Sequence, residues 1–464
     1  MRVVPTTTRL TLPLALLGLL GVVLAACRAD MPPRTRVLED HEVTSGVHPF
    51  TIRYLGHCAG SLRDSVLPAA FRASAGRLHF QGTTDGVDAG LWTSDGTSTD
   101  TRLVAASTAY AAGAEAPYIG EILPSSTGLY FVMDRACFFP NQPPAHVTPL
   151  WWTDTRGTLQ MLLGGHDVRD LALSGDRLFF HAMASDRRSG IWTLAPGSRE
   201  PLELWRFDGV SGLVTTPAGA FFGARIGSSF GLWFSDGSIG GTRPLTYACA
   251  PDFSNQRVAS VGGRAYFACG RELWMSDGSP ETTAAVPGAP LATTGLYTTL
   301  VEWNGRLAFF YRPAAADSAV ELWLTDGTAA ATRYLATFTL EPHKQPGSPA
   351  LASGSTLYFT VDDTLWRSDG SASGTQAVAS LPPREPQSFA FPGGRFLAML
   401  GDTLVIVMND AEVWRYDGRT AERVPLAASV RFVDEVTATP GQVFYAARGD
   451  GLLLSLRGLH FVER

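Results

Sequence analysis

The chain has 464 residues, of which 45% are hydrophobic and 17% charged, enough apolar side chain for a large core and too much for a disordered protein. Net charge is −6 with no basic block, which argues against a nucleic-acid partner; the single lysine is Lys344, so nearly all the positive charge is arginine. Glycine (48) and proline (30) are both abundant, as many short strands joined by tight turns require.

In chain order, the first signal is a targeting one. Arg2 and Arg9 make the N-terminus positive, residues 10–23 are a largely apolar stretch interrupted by Pro13, and Leu24-Ala25-Ala26-Cys27 follows. Small residues ahead of a cleavage point mark a secretory signal. With cysteine in that place the segment resembles a bacterial lipobox. The resemblance implies that residues 1–26 are a lipoprotein signal peptide and that Cys27 is diacylated, becomes residue one and is then N-acylated. The alternatives are an ordinary signal peptide or a membrane-spanning helix, but the apolar run is shorter than the ~20 residues a span needs. Two or three acyl chains would anchor the protein to a membrane, at roughly 0.8 kcal/mol per buried CH₂. Residues 27–65 then hold the lipidated cysteine and a tether. Residues 28–49 have mixed charge and a Pro32-Pro33 pair, which suits a spacer. Residues 50–55 look like a strand able to close a later sheet. Arg28 does not resemble the aspartate that retains some lipoproteins at the inner membrane, so the expected location is the envelope, with the outer membrane favoured.

From residue 66 to 464 one pattern recurs. Its clearest copies are Leu91-Trp92-Thr93-Ser94-Asp95-Gly96, Leu232-Trp233-Phe234-Ser235-Asp236-Gly237, Leu273-Trp274-Met275-Ser276-Asp277-Gly278, Leu322-Trp323-Leu324-Thr325-Asp326-Gly327 and Leu365-Trp366-Arg367-Ser368-Asp369-Gly370. Weaker copies sit at Trp151-Trp152, Trp192, Trp414 and Leu452. A glycine turn with an aromatic strand precedes each copy, as in Gly76-Arg77-Leu78-His79-Phe80 and Gly263-Arg264-Ala265-Tyr266-Phe267. Trp192, Trp233 and Trp274 are spaced by 41 residues, the length of a four-stranded propeller blade. The two landmarks run in register through nine units, so the expected fold is all-β, a single β-propeller of about eight to nine four-stranded blades.

One unit can be read strand by strand. Residues 170–174 form strand A, Gly175-Asp176 a turn, 177–182 strand B, 183–189 a loop, 190–194 strand C and 201–207 strand D. Strand B is apolar on consecutive positions, which fits a sheet covered on both faces. Trp on strand C supplies an apolar plate between blades. Asp-Gly is a turn device, since Asp can accept a backbone N–H and Gly supports positive φ. A calcium loop would need several alternating oxygen ligands, which no unit has. Neither a metal nor a cofactor is expected.

The units with Leu-Trp-x-Ser-Asp-Gly resemble the ELWxxDGT-repeat proteins, a family of bacterial secreted proteins and lipoproteins. Glu272 and Glu321 restore the leading Glu, and Gly241-Thr242 and Gly374-Thr375 restore a trailing Gly-Thr that becomes Ala331-Thr332 in another unit. The resemblance is strongest in the fourth to seventh units. It implies a propeller-like fold and brings no catalytic residues.

Four cysteines remain after Cys27, and they allow three pairings. Proximity in the chain and in neighbouring units favours Cys249 with Cys269, leaving Cys58 with Cys137; four buried thiols are the alternative. Loops between strands B and C vary most, at 83–89, 134–148, 184–189, 225–229 and 312–319, so that face is the expected binding surface. Phe138, Phe139, Asp134, Asp186 and Asp317 are its candidate residues. No HExxH motif appears, and distant paired carboxylates remain open. The expected protein is a monomeric envelope-anchored binding scaffold for an unidentified protein, peptide or glycan, with no catalysis evident. A carbohydrate-binding surface protein and an unrecognised propeller hydrolase or lyase are the alternatives.

Overall fold

The structure is a computed structural model that describes residues 38–42, 48–49, 71–83, 89–97, 99–106, 118–134, 148–154, 156–249, 251–252, 258–291, 296–313, 319–340, 349–382, 395–408, 412–424, 433–439, 441–447 and 453–458. Residues Asp40–Arg457 form one compact unit, and Met1–Glu39 with Gly458–Arg464 form a second.

Among the described residues the strands make nine antiparallel sheets. We number them as blades 1 to 9 in chain order and letter their strands A to D. Blade 3 shows the plan, with Asp167–Ser174, Arg177–Met183, Ser189–Leu194 and Leu202–Phe207 paired in that order. Blade 1 is Phe71–Ser74, Arg77–Thr83, Ala89–Ser94 and Arg102–Ala106. Blade 2 is Tyr118–Ser125, Gly128–Asp134, Leu150–Thr153 and Leu159–Leu163. Blades 4 to 9 open with the A strands Gly209–Thr216, Val258–Val261, Leu296–Trp303, Ala350–Ser353, Arg395–Leu400 and Val433–Thr439.

Strand B is buried on both faces, as its consecutive apolar residues require. Phe179 and Phe180 point to opposite sides of blade 3, and both are 0% exposed. The cores lie between blades rather than within them. Phe179, Ile191, Leu204 and Phe207 of blade 3 pack with Ala220, Phe222, Ala224 and Trp233 of blade 4. Phe207 meets Trp233 edge-on with ring centroids 4.9 Å apart. Burying each such aromatic contributes about 2–3 kcal/mol, so neighbouring blades hold one another in place. Equivalent clusters join blades 1 and 2, 2 and 3, 4 and 5, 5 and 6, 6 and 7, and 7 and 8.

The A strands of blades 1 to 8 touch in sequence order, and blade 8 meets blade 9 through Arg395–Leu400 and Gln442–Ala447. The circuit closes where Phe71–Ser74 of blade 1 lies against Val433–Thr439 of blade 9. The nine sequence units are therefore nine blades of one ring, the larger of the two expected counts.

The last blade is completed differently from the sequence expectation. Its order is Leu38–Glu42, Leu453–Gly458, Gln442–Ala447, Val433–Thr439, so the outermost strand comes from the N-terminal side of the chain. The sequence assigns 38–42 to the tether, because Leu-Glu-Asp-His-Glu has no apolar run. An outer strand needs main-chain pairing more than apolar side chains. Residues 50–55, which the sequence offers as a closing strand, lie outside the described residues. His48–Pro49, also assigned to the tether, pairs with Thr83 and Gly82 of blade 1.

Candidate functional site

The repeated polar residues are occupied within their own turns. Asp95, Asp236, Asp277, Asp326 and Asp369 each use Oδ1 to accept the backbone N–H and the hydroxyl of the residue two positions on, at 2.6–3.0 Å. The preceding Ser or Thr accepts the glycine N–H at 2.9–3.1 Å. It also bonds a threonine seven residues on, as in Ser235–Thr242 (2.7 Å) and Ser368–Thr375 (2.7 Å). Thr242 in turn donates to the Ser238 carbonyl at 2.8 Å. The trailing threonine of the repeat is thus the clasp that closes the turn. The glycine is needed twice over: Gly278 has φ +98°, and a Cβ there would lie 2.7 Å from the Phe234 ring of the preceding blade.

The leading glutamate has an equally local role. Trp274 donates Nε1–H to Glu272 at 2.9 Å, and Trp323 does the same to Glu321 at 2.9 Å. Residues two apart on a strand share a face, which makes this bond possible. Trp192 and Trp233 follow Gly190 and Gly231 instead, and their buried Nε1 atoms have no partner.

Of the loop candidates, Asp186 sits in an exposed turn, where Oδ1 accepts the Arg188 N–H at 3.0 Å and a carboxylate oxygen lies 3.9 Å from Arg206. Asp134 ends strand B of blade 2. Phe138, Phe139, Asp317, Cys58, Cys137 and Cys27 lie outside the described residues. Cys249 and Cys269 are drawn together as the sequence favours, with sulfurs at bonding distance and Cα atoms 5.6 Å apart.

A site that the sequence did not single out lies between blades 1 and 2, on the side of the A–B and C–D turns. It is a cleft of about 300 Å³ whose lining includes His79, Thr93, Arg102, Pro124, Leu129 and Asp154. Its origin is a break in the repeat. The paired B and C strands place Phe221 opposite Phe234 in blade 4, Tyr266 opposite Met275 in blade 5 and Tyr130 opposite Trp152 in blade 2. Blade 1 puts His79 opposite Thr93 there, so polar side chains stand where blades 2, 4 and 5 carry large apolar ones. The seam between blades 2 and 3 shows the contrast, since Arg199 stacks 3.5 Å from the centre of the Trp152 ring.

His79 Nδ1 is buried without a partner. Burial, reinforced by nearby Arg77, pushes its pKa down to about 4, so the ring is neutral at physiological pH. Arg77 is committed to Asp100 at 2.5 Å and to Thr93 Oγ1 at 3.3 Å. Asp154 Oδ1 takes the Arg156 and Thr158 N–H groups at 2.9 and 2.8 Å. A lining of one neutral imidazole, two arginines of which Arg77 is already paired with Asp100, one carboxylate and an apolar wall can recognise a small molecule.

A second polar cluster lies on the A strands of blades 1 to 3. Glu121 accepts the Leu171 N–H at 3.1 Å beside a bulge that holds Asp170 at φ +55°. Desolvation, then the charge of Asp170, raises the Glu121 pKa to about 7 against the pull of the Leu171 N–H and Arg72. His181 Nδ1 lies 3.7 Å from Asp170. Among the described residues no group of three or more His, Cys, Asp or Glu side chains is placed to hold a metal ion.

The fold defines the class: a nine-bladed β-propeller, a scaffold whose repeated polar groups build its turns. No family model and no curated protein matches the chain. Among solved structures it is similar to the β-propeller domain of the Trilobed protease from Pyrococcus furiosus, at 10% identity and TM-score 0.36 over 67% of this chain and 95% of that one. It is similar to BamB from Moraxella catarrhalis at 12% identity and TM-score 0.40, over 74% and 95%. A prolyl endopeptidase is similar at 13% identity and TM-score 0.44 over 74% of this chain, which spans 54% of the length of that enzyme.

Proposed function

We propose that the protein is an exported lipoprotein, anchored through Cys27 to the bacterial envelope, whose propeller binds a ligand and performs no catalysis. The observation that carries the binding half is the local satisfaction of the repeat. Each motif aspartate uses Oδ1 inside its own turn, so recognition falls to the residues that break the pattern. The anchoring half rests on the Leu24-Ala25-Ala26-Cys27 sequence. Residues 28–37 then act as the spacer, ahead of the strand at Leu38–Glu42. Metabolic labelling with a palmitate analogue tests the anchor. The wild type should take up label and fractionate with membranes, and Cys27→Ser should do neither. Equal labelling of the two would remove the lipoprotein reading.

A further inference from the structure

We propose that the cleft between blades 1 and 2 binds a small zwitterion of amino-acid size, its carboxylate on Arg102, its ammonium on Asp154 and its apolar body against Val104, Pro124 and Leu129 beneath His79. The proposal rests on reading the chain as a binding propeller, but it is independent of the lipid anchor.

Three observations lead to it. The first is a polar histidine at the cleft, since His79 stands where Tyr130, Phe179, Phe221 and Tyr266 stand in blades 2 to 5. The second is an unused hydrogen-bonding atom. His79 lines the cleft, and its buried Nδ1 has no hydrogen-bond partner in the protein. The third is the charge at the lining. Arg102 and Asp154 carry opposite signs on the same cleft. A purely anionic ligand would face the Asp154 carboxylate, and a purely cationic one would face Arg102 and Arg77. A ligand that carries both charges suits both groups. The volume, about 300 Å³, is at the small end for ligand sites.

Calorimetry or saturation-transfer NMR on the full-length protein in detergent tests this, with L-phenylalanine, hydrocinnamate and phenethylamine as probes. L-Phenylalanine should bind saturably, and hydrocinnamate (no ammonium) and phenethylamine (no carboxylate) at least tenfold more weakly. His79→Phe installs the kind of residue that other blades carry there. It should cut phenylalanine binding at least tenfold while the melting temperature holds or rises. Arg102→Gln, on the exposed end of a strand, should cut it similarly and serves if His79→Phe fails to fold. No saturable phenylalanine binding up to about 10 mM would overturn the proposal. So would analogues that bind as well as phenylalanine, or binding that both variants retain. None of these results touches the acyl labelling of Cys27, so the two readings fail separately.

Discussion

Gln442 of blade 9 donates its side-chain N–H to the carbonyl of Asp95 in blade 1, at 2.8 Å. Thr437 Oγ1 accepts the Ala73 N–H across the same seam at 3.3 Å. These contacts link residues 347 and 364 positions apart, so the ends of the repeat array meet. Arg243 and Arg333 make comparable ties from blade 4 to the Gly278 carbonyl and from blade 6 to the Gly370 carbonyl, at 2.5 and 2.6 Å. The closing seam thus uses the same device as internal seams: a side chain that reaches the backbone of a neighbouring Asp-Gly turn.

The motif turns should be acid-sensitive. Asp236 and Asp277 have pKa values held below the ordinary range, first by hydrogen bonds from Ser238 and Thr282 respectively. A carboxyl with a depressed folded pKa contributes stability that is present above its unfolded value, 3.8, and is lost as pH falls through the folded value. Asp277→Ala should cost about 1–2 kcal/mol at neutral pH, read by urea denaturation, and the gap from wild type should narrow below pH ~3.8. A gap independent of pH would contradict the assignment.

The leading glutamates should matter through their tryptophans. Glu321→Ala removes the acceptor of Trp323 Nε1 and should lower stability by about 1–2 kcal/mol. Glu321→Gln keeps an acceptor and should recover most of it. If the glutamine variant is as unstable as the alanine one, the Trp–Glu bond is not the cause.

Glu121 and His79 should give opposing pH dependences. Glu121 has a folded pKa of about 7, above its ordinary value of 4.5, so its contribution is present below 4.5 and falls as pH rises to 7. His79 has a folded pKa of about 4, below 6.5, so its contribution is present above 6.5 and falls as pH drops to 4. Between 4.5 and 6.5 the two slopes offset each other. Glu121→Gln should expose the histidine slope, with stability rising by up to about 1 kcal/mol per pH unit in that window, and His79→Phe should expose the reverse. Identical pH profiles for wild type and both variants would rule this out.

Cys249 and Cys269 should be recovered as one linked peptide pair from protein purified under oxidising conditions, by mass spectrometry without reduction. Their sequence separation of 20 makes a crosslink worth about 3 kcal/mol in the chain-entropy description. Cys249→Ser should therefore lower stability under oxidising conditions and leave the reduced protein nearly unchanged. Free thiols at both positions in the oxidised protein would contradict the pairing.

Much of the architecture was legible in the chain. Strand bounds in the third unit differ from the observed blade by only a few residues, because consecutive apolar positions at 178–180 and the Gly175 turn mark them. Asp-Gly was readable as a turn because its chemistry is local. Less legible were features that depend on distant partners. Leu38–Glu42 carries no apolar pattern, so only the edge of blade 9, more than 400 residues on, reveals it as a strand. The role of Thr242 or Glu321 needs the geometry of the turn or strand. His79 did have a signal: alignment of the aromatic landmarks shows it standing where Tyr130, Phe179, Phe221 and Tyr266 stand in other units. The long 134–148 loop, the strongest sequence candidate for recognition, lies largely outside the described residues.

The central claim is that nine repeats close on themselves, and a covalent link across the seam tests it most directly. Ala73→Cys with Thr437→Cys, in the full-length protein under mild oxidation, should give a peptide pair joining residues 73 and 437, abundant in the folded protein and scarce after unfolding in urea. Failure to form that link in the folded protein, or equal yields folded and unfolded, would contradict a closed ring.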